Sequence, residues 1–202
     1  MLTGEEQERV AAAVRDAESR TAGEIVVVVA ARASTYRSVP LLYALLGSLA
    51  TPWPLIWLTE LSAARIFTIQ LAVALTLLLV STWLERRSTW VPAFIRRARC
   101  REAAGQAFRT RGVARTRERT GVLIYVALAE HYADVLADVG IAERVDEQVW
   151  REILAELIGA IGSGRIADGL AAAVRRVGAV LAEHAPPRPG DTDELSNKVI
   201  LT

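Results

Sequence analysis

The sequence predicts an α/β fold with a small central β-sheet flanked by helices, interrupted by an inserted two-helix transmembrane hairpin. Three observations predict it. Ile25 to Val29 is β-branched at both parities, which suits a strand covered on both faces. Two more strand-like runs, "TGVLIYVALAE" from Thr120 and "ADVLADVG" shortly after it, are close enough for a hairpin. Between the first run and the other two lie Val39 to Leu58 and Ile66 to Leu84, neither with a charged residue.

The elements follow in order. Thr3 with Glu6 reads as a capping box, and Val10, Ala13, Val14 and Ala17 then share one helical face. Thr21-Ala22-Gly23 ends that helix before the strand begins at Glu24 or Ile25. Beyond Glu143 the pattern is helical again: Val145, Val149, Ile153, Leu157 and Ile161 recur every four residues. "GSGR" breaks the helix at Gly162, and Ile166, Leu170, Val174, Val177 and Leu181 mark another. The proline-rich polar end, residues 186–202, reads as an extended or disordered tail. A lone strand cannot satisfy its backbone groups, so the strands after residue 120 must supply its neighbours. The soluble domain is therefore expected to be discontinuous, residues 1–38 plus 86–185, with the hairpin at 39–84 inserted in it.

Each apolar span, 39–58 and 66–84, is long enough as a helix to cover about 30 Å, the thickness of the hydrocarbon core. Only "TELSAAR" separates them, so they return to the side they left. A pair of buried core helices, or a re-entrant wedge bent at Thr51-Pro52-Trp53-Pro54, are the alternatives. Trp57 and Trp83 near the span ends suit an interfacial aromatic belt, with Trp90 as a further anchor. "MLTGEEQERV" is acidic and lacks an apolar segment, so no cleaved signal is expected and membrane entry falls to the internal spans.

The net charge of +1 selects no partner class, but its distribution does. Eleven arginines stand between Glu85 and Arg119, against three glutamates, while the opposite turn offers only Glu60 and Arg65. The positive-inside rule then places both termini and the soluble domain in the cytoplasm, on a cell inner membrane. Arg86, Arg87, Arg96 and Arg97 are candidates for contact with anionic lipid headgroups. The run reads equally as a topology signal plus a solvated helix face, with Ala98, Ala104 and Phe108 on the sheet. Nucleic acid ranks below both, because aromatic interleaving is sparse.

Catalytic motifs are missing: no G-x-S-x-G, Walker loop, H-E-x-x-H or C-x-x-C occurs. His131 and His184 are far apart and read as exposed, and the single Cys100 excludes an internal disulfide. Asp134 and Asp138 share a strand parity, and Glu143 and Asp146 bracket a helix start, a place where oxygen ligands could hold a divalent cation such as calcium. Ordinary helix-dipole stabilisation explains the same acids without a metal.

"TAGEIVVVVAARASTY", the apolar hairpin, "TRERTGVLIYVALAEHYADVLADVGIAERVDEQVW" and "GRIADGLAAAVRRVGAVLAEHAPPRP" together resemble the TPM-domain family, and within it a bacterial membrane branch whose hairpin interrupts the domain. The resemblance implies a small sheet flanked by helices. Other members are linked to photosystem repair, receptor modulation, acid phosphatase activity or calcium binding. A family segment Gly-Tyr-Gly-Leu-Glu followed by an aspartate is matched here by Gly140, Glu143 and Asp146, but the tyrosine and second glycine have no counterpart. The expected function is a membrane-anchored, non-enzymatic accessory or interaction module on the cytoplasmic face, with the bilayer and another membrane or cytoplasmic protein as partners. A metal-dependent phosphatase using Glu143 and Asp146, and an anionic-lipid-sensing module, are the alternatives.

Overall fold

The sheet is organised around the run of valines. In a computed structural model of the chain, which describes residues 2–34, 38–84, 92–188 and 194–202, β1 (Ile25–Ala30) pairs in parallel with β2 (Val122–Ala127). The register runs from Ile25 opposite Val122 to Ala30 opposite Ala127. β2 turns antiparallel into β3 (Tyr132–Ala137), and β4 (Ile200–Leu201) lies parallel to β1 on its other side. The strand order is β3-β2-β1-β4. A parallel pair requires a crossover, and everything from Ala31 to Gly121 serves as that connection.

Every residue of β1 and β2 is buried, because helices cover both faces. Ile25, Val27 and Val29, with Val122, Ile124 and Val126, form one core with α1 (Gly4–Glu18), α7 (Glu147–Gly162) and α8 (Ile166–His184). The alternate residues Val26, Val28, Leu123 and Tyr125 meet Cys100 and Ala104 of α5 (Ala93–Thr110) on the other face. Period-2 alternation thus divides two β-branched strands between two cores. The fold is the α/β arrangement the sequence predicts.

Local signals account for the helix ends. Thr3 accepts from Glu6 N, and Glu6 Oε2 accepts from Thr3 N at 2.7 Å, so the capping box forms. α1 and α8 approach closely: a Cβ on Gly178 would lie 2.5 Å from that of Ala17, so glycine is needed there. α6 (Val139–Ala142) is a single turn that begins inside the third strand-like run and precedes the helical pattern expected from Glu143.

Residues 1–34 and 97–202 form one compact unit, and residues 35–96 another. The second consists of α2 (Ser38–Ala50), α3 (Pro52–Leu58) and α4 (Ala63–Leu84). The first apolar span is thus two helices, broken at Thr51. Pro52 and Pro54 lack the donors a continuous helix needs, and Pro52 opens α3 at a position where its missing N–H costs nothing. α4 is uninterrupted and, at 22 residues, about 33 Å long.

α2 and α4 pack on each other. A Cβ on Gly47 would sit 2.4 Å from Leu77 Cδ1, so the small residue permits a close crossing. The rest of their apolar surface has no protein cover. Only 6% of the window Leu41–Leu58 and none of Ala63–Val80 is buried. Thr51, Thr68 and Thr76 each donate their hydroxyl to the carbonyl four residues back at 2.8 Å, so none needs an outside acceptor.

Candidate functional site

The buried charged side chains of the α/β unit, Glu24, Glu130 and Asp138, lie at the two ends of the parallel strand pair. At the carboxyl end the pairing continues past the strands, with Leu128 N donating to Ala30 O and Ala129 N to Ala31 O. Glu130, buried in the hairpin loop, accepts from Ala33 N at 3.1 Å and ties the exit of β1 to that loop. His131 closes the loop in the left-handed region, φ 48°, with its side chain exposed.

Beside this loop, Tyr132 donates its hydroxyl to Asp134 Oδ2 at 2.7 Å, with Arg101 of α5 close by. Asp134 Oδ1 accepts from Val135 N at 3.1 Å. That amide points away from β2, because Asp138 N bonds Gly121 O and the alternation leaves Val135 in a non-bonded pair. Asp134 therefore caps a free edge amide of β3, a negative charge where another strand would have to dock. Burial, and then the Asp134 hydrogen bond, push the Tyr132 phenol well above its ordinary range. Burial, with Cys100 and Glu130 nearby, pushes Tyr125 up to about 12. At neutral pH both phenols are protonated donors rather than nucleophiles or bases.

At the amino end, Asp138 is 4% exposed and follows β3 directly. Its carboxylate accepts from Arg119 Nη2 at 2.9 Å, Arg119 Nε at 3.2 Å and Val139 N at 2.7 Å, so it pairs an arginine and caps α6 together. Glu24, also buried, accepts from Glu194 N at 3.0 Å and Leu195 N at 3.2 Å through its two oxygens. This clamp, with Thr202 N bonding Val29 O, turns the end of the tail into β4. The sequence predicts an extended or disordered tail at 186–202, whereas its end pairs with β1. Sequence reasoning missed Glu24, Arg101, Arg119 and Tyr132; the one local signal was a carboxylate set immediately before an apolar strand.

The residues singled out from sequence are distributed as follows. Asp146 is the N-cap of α7 and accepts from Gln148 N at 2.7 Å; Glu143 is the exposed C-cap of α6. Asp134 and Asp138 lie at different stations and have separate partners. Among the described residues no three His, Cys, Asp or Glu side chains are arranged to hold a metal. Cys100 is fully buried under the sheet. On α5, Ala104 is buried and Phe108 packs beside it, whereas Ala98 is exposed. Arg97 is exposed and Arg96 half-buried; Arg86, Arg87 and Trp90 fall outside the described residues. Trp57 is 80% exposed at the end of α3, and Trp83 lies in the last turn of α4. His184 is half-buried, and its carbonyl accepts from Arg144 Nη1.

The fold is similar to that of the BA42 protein from the psychrophilic bacterium Bizionia argentinensis, determined by NMR. The two share 21% identity with a TM-score of 0.61, over 100% of this chain and 96% of that one. No curated protein matches the chain. Residues 87–180, which follow the apolar spans in the chain and carry α5, β2, β3, α6, α7 and most of α8, match the model of the TPM domain family.

Proposed function

We propose that the chain is a membrane-anchored TPM-like module, serving as a non-enzymatic accessory or interaction protein on the cytoplasmic face of the membrane. One observation carries the anchoring: α2 and α4 pack on each other through Gly47 and, with α3, leave Leu45, Leu49, Trp53, Trp57, Phe67 and Leu79 uncovered. A soluble protein does not leave an apolar surface of that extent in water, and hydrocarbon removes the cost. The non-enzymatic part is supported by what the carboxylates do. Glu24, Glu130, Asp134, Asp138 and Asp146 each accept a backbone N–H, and each thereby closes a turn, an edge or a helix end.

Fractionation of cells expressing the full chain tests the anchoring. It is expected to stay in the membrane pellet through alkaline carbonate and high salt. Release by either treatment would show that the hairpin does not lie in hydrocarbon. Assay of the purified chain with a phosphomonoester and calcium, magnesium or manganese tests the other part: turnover abolished by Asp146→Ala would replace the accessory role with a hydrolase.

A further inference from the structure

The basic residues of this chain are unevenly paired. Elsewhere Arg9 pairs with Asp168, Arg15 with Glu8, Arg20 with Asp16, Arg151 with Glu147, and Arg176 with Glu152 and Glu156, whereas Arg144, Arg165 and Arg175 have no carboxylate partner among the described residues. On α5 and the turn after it unpaired arginines are concentrated. Arg97, Arg109, Arg111, Arg115 and Arg117 are exposed, and among the described residues none has a carboxylate within ion-pair distance. In that stretch only Arg99, with Glu102, and Arg119, with Asp138, have carboxylate partners among the described residues, while Arg101 lies near the Tyr132 hydroxyl.

Residues 96–119 hold nine arginines and two glutamates of the chain's 24 basic and 23 acidic residues, so the remainder of the chain is acidic by six. Such separation gives this one segment a strong local field although the chain as a whole is near neutral. α5 shows its sheet-facing side to be Cys100 and Ala104, so its arginines are not needed for packing. The chemistry is also specific. The chain's single lysine, Lys198, lies elsewhere, and every basic group here is a guanidinium, whose planar fork grips phosphate oxygens in pairs. In sequence the segment begins only twelve residues after Leu84, the last residue of α4.

We propose that the exposed arginines Arg97, Arg109, Arg111, Arg115 and Arg117 of α5 and the turn after it dock on the phosphate groups of anionic phospholipids at the membrane surface. The choice of lipid phosphate over nucleic-acid phosphate rests on the membrane reading of the hairpin given above and on the aromatics of residues 97–117, where only Phe108 occurs and it packs against the sheet. Contact of this kind is sensitive to salt and to the anionic fraction of the bilayer.

Hydrogen exchange of the full chain tests this, in nanodiscs of phosphatidylcholine alone and of phosphatidylcholine with phosphatidylglycerol. Amides of residues 97–117 are expected to exchange about tenfold more slowly in the anionic discs at low salt, an effect lost at high salt. The variant Arg109→Gln/Arg111→Gln/Arg115→Gln/Arg117→Gln should lose the difference, and Arg9→Gln/Arg15→Gln/Arg20→Gln should keep it. Equal exchange in both discs would overturn the proposal, as would the same protection from inorganic phosphate or from RNA added to phosphatidylcholine discs. The two readings separate cleanly. Stable incorporation into both discs with equal exchange removes the lipid contact and keeps the anchor. Flotation only with anionic vesicles, reversed by salt, removes the anchor and keeps the contact.

Discussion

Asp138 links three pieces of chain through one buried carboxylate, and substitutions there separate its two roles. Asp138→Ala removes both the cap on α6 and the pair with Arg119; Asp138→Asn keeps an oxygen for Val139 N but loses the charge. Loss of an N-cap costs about 1 kcal/mol. Hydrogen bonds to a charged group are worth about 1.5–3 kcal/mol when shielded. The Arg119 side chain is 59% exposed, so water re-solvates it and the pair is discounted to about 1 kcal/mol. The expected losses are therefore about 1 kcal/mol for Asn and about 2 kcal/mol for Ala. Urea unfolding in detergent, followed by hydrogen exchange at the β2 amides, measures both. Equal losses for the two variants would refute the separation of cap from charge, and no loss in either would refute the pairing itself.

Three further outcomes follow from the same contacts. Glu24→Gln loses one of the two acceptors that hold the tail, so a lysine-specific protease should cut at Lys198, its only site and an exposed one, faster than in the wild type; unchanged cutting would mean that β4 is held by other contacts. Tyr125 ionises near 10 when unfolded but near 12 when folded, so the unfolded state releases its proton first and stability falls as pH rises from 10 towards 12. Tyr125→Phe should flatten that alkaline decline in a denaturation series, and an unchanged slope would contradict the buried phenol. Asp146→Ala should cost about 1 kcal/mol through the α7 cap while Asp146→Asn costs little; a calcium titration heat that vanishes in both variants would put a cation there instead.

The elements that sequence pattern could reach were those fixed by local periodicity. β1 and β2 were legible because strands buried on both faces must be apolar at both parities, and Ile25 to Val29 could serve little else. The cap of α1 was legible because Thr3 and Glu6 are three residues apart. β4 was not, because two residues make no pattern and their position depends on Glu24, 170 residues away along the chain from Glu194. The break in the first span was visible as prolines, but whether Thr51 bends a helix or divides it into two depends on packing against α4.

The candidate site shows the same division. Asp146 could be placed at a helix start from its neighbours alone. Asp134 and Asp138 share a parity, yet one caps an edge amide beside Tyr132 and the other joins Arg119 beyond the end of the strand. Parity fixes a face and not a partner. Arg101 meets Tyr132 only because the crossover returns α5 across the sheet, a long-range fact that no short motif encodes.

Labelling in intact cells examines the split domain and its lipid-embedded hairpin most directly, using full-length variants Ser62→Cys and Thr202→Cys and a maleimide that cannot cross the membrane; the native Cys100 is buried and stays silent. The expected result is reaction at position 62 from outside and none at position 202 until the membrane is opened. Reaction at position 202 in intact cells would contradict the cytoplasmic placement, and no external reaction at position 62 would contradict the crossing.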